Sequence, residues 1–440
     1  VSIAIPLRQA FTYHSDKRIP LGTRVAVKFG AKLKLGIILE ETKQQGIQTK
    51  PIHQVLDDEP IFSAMELNIL SWASDYYHHP IGEVCNSFLP TSLRSIKTVM
   101  SIDAFPLNAD VDITNFTKIL SDQQASAVKF LLNLKGFSPT LLYGVTGSGK
   151  TEVYLRCIHE QLLQDKSVLL LAPEISLTPQ LELRLKEQFG DLVVLYHSKM
   201  TPAKRYQAWK KFRSGEARVL IGTRSAAMMS APNLGLIIVD EEHDASYKQH
   251  EGFKFSARDL AIKRAQMLKI PIILGSATPS LRTLRSVEEK KFGIIKLTKR
   301  ITKQNPPKFS ILDINETSLK SGLAPQAIEA IAATLQQKKQ AMIFINRRGF
   351  APQFICANCD WRAICNSCES SLVFHHHQDR LICHRCDSAF GVPKHCPACS
   401  AEQLALIGTG TEQLEITLQE LFPKISIYRM DKDSTKKTHS

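Results

Sequence analysis

Residues Gly144 to Thr151 read GVTGSGKT. The apolar run TLLY precedes them and the amphipathic stretch EVYLRCIHEQLLQ (152–164) follows. A strand turning through glycines into a helix is the setting in which G-x-x-x-x-G-K-[ST] binds phosphate. Glycines let backbone N–H groups approach anionic oxygens, and the helix N-terminus adds a favourable dipole. Gly144, Val145, Thr146, Gly147, Ser148 and Gly149 are therefore expected to cradle the phosphates of a nucleotide. Lys150 is expected at the β and γ phosphates and the Thr151 hydroxyl on Mg²⁺. A Gly-rich turn that binds nothing is the weaker reading once a strand and a helix flank the loop.

Around this loop the apolar runs TLLYGV, SVLLLAP, LVVLYH, RVLIGT, LGLIIVD and PIILGS alternate with amphipathic stretches such as LTPQLELRLKEQF. Near-continuous apolar strands separated by helices predict a parallel sheet covered on both faces, hence an α/β fold. Ligands of such sheets bind at the carboxyl ends of the strands. LGLIIVDEEHD (234–244) ends there in acids. Asp240 is expected to hold Mg²⁺ and Glu241 to polarise an attacking water. LGSATPS (274–280) follows another buried strand with small polar residues suited to sensing a γ-phosphate. LAPEISLTPQ (171–180) and VLIGTRSA (219–226) leave strands on the same edge, though each alone reads as an ordinary loop.

The chain has 440 residues, enough for roughly three domains. Its 43% hydrophobic and 22% charged residues exclude a largely disordered chain. The formal net charge of +14 favours a polyanionic partner, nucleic acid before membrane. No apolar run approaches a membrane span and no signal peptide is visible, so a cytoplasmic protein is expected.

Eight of the ten cysteines form four C-x-x-C pairs: Cys356 and Cys359, Cys365 and Cys368, Cys383 and Cys386, Cys396 and Cys399. Clustering in one stretch of a large chain reads as metal binding, not as a disulfide scaffold. Four knuckles supply two tetrahedral thiolate sites for zinc, with iron–sulfur clusters as the rival. Spacing leaves the pairing open, but the gap between the inner knuckles favours Cys365, Cys368, Cys383 and Cys386 together. His375, His376, His377, His384 and His395 then read as bystanders, and Cys85 and Cys157 as core. A second α/β unit begins with APQAIEAIAATLQQ and QAMIFINRRG, is interrupted by the cysteine block, and resumes with ALIGTGTEQLEITLQELF and ISIYRM. Residues 1–55 read as short strands, and 63–79 as a helix.

GVTGSGKTEVYL, LAPEISLTPQ, GTRSA, VDEEHD and GSATPS together resemble superfamily 2 helicases. SYKQHEGFKFSARDLA (246–261), INRRGFAP (345–352), the cysteine block and GTGTEQLE (408–415) resemble, more narrowly, the PriA family of replication-restart helicases. That resemblance implies an ATP-dependent 3′-to-5′ DNA helicase that acts at stalled or repaired forks and initiates primosome assembly. It implies RecA-like lobes, ATP, Mg²⁺ and two zinc ions, paired as Cys356, Cys359, Cys396 and Cys399 against the inner four. It places Gln124 at the adenine and makes Ser276 and Thr278 link hydrolysis to movement. It makes Tyr247, Lys248, Phe253, Lys254, Phe255 and Arg258 an aromatic-rich DNA-coupling loop; such residues suit base stacking and phosphate contact. The first hundred residues resemble the family's 3′ DNA-binding domain, carried by PLRQAFTY, VKFG and DYYHHPIGE. Phe11, Tyr13, Gly30 and Lys50 would line its pocket, with Thr12 where an acid usually stands; Phe11 and Tyr13 also read as one core-facing strand side. Forked and single-stranded DNA, single-stranded DNA-binding protein and primosome or helicase-loader proteins are the partners implied.

The expected organisation is a β-rich 3′ DNA-binding domain over 1–100 and a linker over 101–117, where a winged helix of the family is missing. Helicase lobe 1 follows over 118–300, the start of lobe 2 over 301–355, a zinc insertion over 356–399 and an incomplete continuation of lobe 2 over 400–440. Late lobe 2 motifs, including an arginine finger, are absent before Ser440, so a fragment with poor hydrolysis is expected. The alternative is a zinc-dependent fork-binding scaffold with an inactive motor.

Overall fold

The structure is a computed structural model that describes residues 1–42, 48–97, 116, 118–173, 178–302, 308–314, 317–345, 353–356, 358–359, 361–375, 380–383, 385–386, 388–402, 404–407 and 411–430. It divides into two compact units, Val1–Asn305 and Pro306–Ser440.

Five strands open the first unit: β1 (Ser2–Ile3), β2 (Tyr13–His14), β3 (Arg24–Phe29), β4 (Lys32–Ile37) and β5 (Lys50–Val55). They lie in the order β1-β4-β3-β5-β2, antiparallel except where β2 meets β5. A fully buried ion pair closes this sheet: Arg24 Nε donates to Asp57 Oδ2 at 2.9 Å and Arg24 Nη1 to the Leu93 carbonyl at 2.7 Å. Helix α1 (Ala64–Tyr76) starts where Ser63 and Glu66 form a reciprocal capping box, and α2 (Ile81–Phe88) follows.

The parallel sheet expected around the glycine loop is present. Its elements are α3 (Asp122–Leu132), β6 (Pro139–Gly144), α4 (Lys150–Leu163), β7 (Ser167–Leu171), α5 (Thr178–Phe189), β8 (Val193–Tyr196), α6 (Pro202–Ser214), β9 (Val219–Gly222), β10 (Leu234–Val239), α7 (Ala257–Leu268), β11 (Ile272–Ser276), α8 (Leu281–Glu288) and β12 (Gly293–Leu297). The seven strands are parallel in the order β12-β6-β11-β10-β7-β9-β8. Strand β12 is an addition to the six runs read from sequence.

Period-two alternation sends the strand side chains to two cores. Val168, Leu170, Leu236 and Ile238 pack with Val153 and Ile158 of α4. Leu169, Leu171, Ile237 and Val239 share the opposite cluster with Leu67 and Leu70 of α1 and Phe88 of α2. The N-terminal helices thus belong to the cover of the large sheet. Cys85 and Cys157 are buried, at 0% and 2% exposure, as core residues.

The second unit contains α9 (Pro325–Gln336), β13 (Gln353–Cys356), β14 (Val373–His375), β15 (Arg380–Ile382), β16 (Ala389–Gly391), β17 (Leu404–Ile407) and α10 (Thr411–Leu421). Its sheet is antiparallel, in the order β16-β15-β14-β13-β17. This corrects one expectation. Among the described residues, 340–345 and 425–430 form no strand. Met342 and Phe344 are 93% and 83% exposed. An interior parallel strand needs flanking strands and helices on both faces, and these segments have none among the described residues. The linker 101–117 apart from Phe116, Glu174–Leu177, Asn346–Pro352, Gly408–Gly410, His376, His377 and His384 lie outside the described residues.

Candidate nucleotide, nucleic-acid and metal sites

The glycine loop joins β6 to α4. Gly147 and Gly149 have φ of +80° and +77°, a region costly for other residues. Gly144 meets a different need: a Cβ there would fall 2.6 Å from Ser148 Oγ. Ser148 Oγ is itself buried without a protein partner among the described residues. Lys150 Nζ donates to the Gly144 carbonyl at 3.1 Å and lies 3.6 Å from Glu241 Oε1. The loop is a backbone cradle with one cation and an uncommitted hydroxyl, a donor set that fits polyphosphate.

The acids at the end of β10 lie across from it. Asp240 accepts a hydrogen bond from the Tyr154 hydroxyl at 2.8 Å. Burial pushes the Asp240 carboxyl above its usual range; the Tyr154 bond and Lys150 pull it back, while Glu241 adds to the rise. Glu241 has φ +44°, a left-handed conformation that costs a glutamate about 1–3 kcal/mol. Its carboxylate lies 3.6 Å from Lys150 Nζ and 3.7 Å from His243 Nδ1. His243 bridges two motifs. Its Nδ1 lies 2.8 Å from Ser276 Oγ and its Nε2 3.3 Å from Thr278 Oγ1. Lys150, Glu241, Ser276 and Thr278 therefore share one neighbourhood at the carboxyl edge of the sheet, joined by ion-pair contacts at Glu241 and by hydrogen bonds at His243.

Three members escaped the sequence reading. Tyr154 looks like an ordinary helical core residue, His243 carries no spacing signal of its own, and Glu242 looks like a solvated acid. Glu242 is 1% exposed and takes hydrogen bonds from Arg258, Ser280 and Thr283. The edge loops do converge: Ser246 Oγ donates to the Pro173 carbonyl at 2.7 Å, and Arg224 Nη1 to the Lys248 carbonyl at 3.0 Å.

Two sets of expected site residues are engaged inside the protein in this structure. The Gln124 amide is turned to the glycine loop in this structure. Its Oε1 accepts from Ser121 N at 2.9 Å in a capping box, and its Nε2 donates to the Ser148 and Gly149 carbonyls. Both ends of the amide are occupied in bracing the glycine loop. The aromatic-rich loop is also turned inward. Tyr247, Phe253 and Phe255 are 2%, 2% and 3% exposed. Tyr247 Oη bonds the Leu171 and Asp240 carbonyls at 2.9 and 2.6 Å. Phe253 packs on Tyr77, His79, Phe88 and Phe255, with ring centroids 4.9–6.0 Å apart. Arg258 is bound to Glu242, Asp259 and Thr283. No ring face is open for stacking in this conformation, because the apolar cover offered by α1 and α2 outcompetes water. Lys248 and Lys254 remain exposed.

In the N-terminal sheet, Phe11, Thr12 and Tyr13 line a cleft of ≈ 390 Å³ together with Glu40, Glu41 and Thr49. Gly30 and Lys50 do not line it, although Lys50 pairs with Tyr13 between β5 and β2. Phe11 also meets Phe29 edge-on at 5.1 Å, and Tyr13 Oη donates to the Lys28 carbonyl at 3.2 Å. Both aromatics are half-buried, part core and part wall.

In the second unit the knuckles pair as a nest. Cys356, Cys359, Cys396 and Cys399 form one group, and Cys365, Cys368, Cys383 and Cys386 the other, with all sulfurs of a group within 4.8 Å. Opposed sulfurs lie 3.6 Å apart in the first group and 3.4–3.5 Å in the second. A tetrahedron with Zn–S bonds of about 2.3 Å has edges of about 3.8 Å. In each knuckle the first cysteine N–H donates to the carbonyl five residues on: Cys356 to Trp361, Cys365 to Ser370, Cys383 to Ser388 and Cys396 to Ala401. The donor set fits two tetrahedral metal ions. His395 is exposed and belongs to neither group. The surrounding core is small, centred on Leu372, Phe374 and Leu381. Cores of that size usually need a metal or disulfides.

Residues 1–90 match the PriA 3′DNA-binding domain model, and residues 121–287 match the DEAD/DEAH box helicase model. The replication restart protein PriA of Haemophilus influenzae is 34% identical over 511 aligned positions, covering 99% of this chain and 70% of that protein. Its counterpart in Rickettsia conorii is 35% identical, covering 96% of this chain and 64% of that protein. That of Bacillus subtilis is 37% identical over 72% of this chain and 40% of its own length. No helix among the described residues is long and apolar enough to cross a membrane.

Proposed function

The chain belongs to the PriA family of replication restart proteins, and on that premise we propose that it is part of an ATP-dependent 3′-to-5′ DNA helicase. Its role would be to recognise stalled or repaired forks and initiate primosome assembly. The observation that carries this reading is the shared neighbourhood of Lys150, Glu241, His243, Ser276 and Thr278 at one sheet edge.

The backbone N–H groups from Val145 to Lys150 would hold the phosphates, and Thr151 and Asp240 the Mg²⁺. Bound Mg·ATP supplies the transferable phosphoryl group and neutralises its charge. Glu241, 3.6 Å from Lys150 Nζ, would accept a proton from water. Ser276 and Thr278 are tied through His243 to Glu241, so a change at the phosphates reaches the loop leading into α8. The aromatic loop couples the site to the N-terminal module through Tyr247 and Phe253. A terminal 3′-hydroxyl would meet Phe11, Thr12 and Tyr13 in the cleft, with Glu40 beside them. The cysteine groups are proposed as two zinc sites. Single-stranded DNA-binding protein and helicase-loader proteins are the proposed protein partners.

Lys150→Ala is expected to abolish DNA-stimulated ATP hydrolysis in the complete protein. Undiminished hydrolysis would sink the motor reading. A zinc-dependent fork-binding scaffold is the second reading, favoured by the lack of a second parallel sheet among the described residues of 306–440. Fork binding without any Lys150-dependent hydrolysis decides for it.

A further inference from the structure

Tyr154 is 1% exposed, yet its hydroxyl reaches a carboxylate 86 positions away in the chain. It sits four residues after Lys150 on α4, hence on the same helix face as the phosphate-loop lysine. Its Oη donates to Asp240 Oδ1 at 2.8 Å, a well-formed hydroxyl–carboxylate hydrogen bond. Among side chains of the described residues, Tyr154 gives the hydrogen bond to this carboxylate, and the Glu241 main-chain N–H is its second partner.

The space for that hydroxyl is created by a third residue. Gly275 lies in β11, between the strands that carry the glycine loop and the acids. A Cβ at Gly275 would fall 1.7 Å from Tyr154 Oη, 2.9 Å from its Cζ and 3.2 Å from Asp240 Oδ1. Glycine inside a central strand is unfavourable and marks a close approach. Here the approach is that of the phenol. The main chain of Asp240 is pinned independently, by Tyr247 Oη on its carbonyl at 2.6 Å.

We infer that Tyr154 is a positioning residue whose hydroxyl, admitted by Gly275, orients the Asp240 carboxylate toward the divalent cation of the bound nucleotide. The inference rests on the proposal that Asp240 is the Mg²⁺ carboxylate. A carboxylate at the end of a strand can turn about its side-chain torsions, and the Tyr154 bond, added to that of the Glu241 main chain, fixes it before the metal arrives. Partners of this kind are worth about ten- to a hundredfold in metal affinity.

The test is binding of a fluorescent ATP analogue to the full chain, titrated with Mg²⁺ and repeated in EDTA. Tyr154→Phe is expected to raise the Mg²⁺ midpoint about ten- to a hundredfold and to leave the affinity in EDTA unchanged. Gly275→Ala should reproduce the shift, and adding Tyr154→Phe to it should deepen the shift no further. If Gly275→Ala does not fold, Tyr154→Phe decides alone. A wild-type Mg²⁺ midpoint in Tyr154→Phe, or equal weakening with and without Mg²⁺, overturns the inference in favour of a packing role. Asp240→Asn separates the two levels. Loss of the Mg²⁺ response in that variant upholds Asp240 as the metal carboxylate, and persistence of the response overturns that reading together with this one.

Discussion

Replacing Phe253 with alanine separates an inward-facing aromatic loop from one that stacks on bases. The ring is 2% exposed and is surrounded by Tyr77, His79, Phe88 and Phe255. Truncating a buried phenylalanine costs about 3–5 kcal/mol, because the transfer energy is lost and a cavity remains. For a domain of a couple of hundred residues, one kcal/mol moves the melting temperature by about 2–4 °C. The first unit is larger, so about 2 °C per kcal/mol applies and Phe253→Ala should melt about 6–10 °C lower. The assay is thermal and urea unfolding of the chain, with Lys254→Ala as the neighbouring control. Lys254 is exposed, so its replacement should stay within about 0.5 kcal/mol of wild type. If Lys254 contacts phosphate, Lys254→Ala should weaken single-stranded DNA binding and make its salt dependence shallower. Unchanged stability in Phe253→Ala, with DNA affinity lost, would refute the reasoning.

Three further outcomes are expected. Arg24→Met leaves Asp57 buried without its counter-charge, keeping only the hydrogen bond from the main-chain N–H of residue 24, and should cost about 3–5 kcal/mol in urea unfolding; Arg24→Met with Asp57→Leu should recover most of it. Burial raises the Tyr77 phenol to about 12, and its hydroxyl bonds Ser256. The folded form binds this proton more tightly than the unfolded form, so stability should fall as pH rises from about 10 toward 12. Melting curves across that window should show a smaller decline in Tyr77→Phe. Chelation should release two metal ions per chain, and Cys365→Ser should release one while the outer group keeps its ion, as read by elemental analysis.

The chemistry legible from the chain alone was the chemistry held in short segments. GVTGSGKT carries its strand, turn and helix within a dozen residues, and each C-x-x-C knuckle sets its own sulfurs through a local backbone bond. The strands β6 to β11 were readable because a strand buried on both faces must be apolar throughout. β12 was missed because GIIKL is short and half-exposed at the sheet edge. The apolar segments at 340–345 and 425–430 carry the same signal, yet with no strand to pair with among the described residues they are not strands there.

Tertiary structure decided whatever depends on who stands opposite. Phe253 suits stacking on a base as well as packing on Tyr77, and only the docking of α1 and α2 against the large sheet selects the second. Gln124 could reach a base or the loop beneath it, and the capping box at Ser121 turns it to the loop. His243 and Tyr154 gain their roles from Ser276 and Asp240, which approach only when parallel strands come into register. Sequence by itself therefore determined the kind of sheet, the phosphate loop and the cysteine donors, since local spacing suffices for those. Which polar groups meet across strands, and which aromatics stay dry, was decided by packing, since burial and hydrogen-bond reach are properties of the assembled fold.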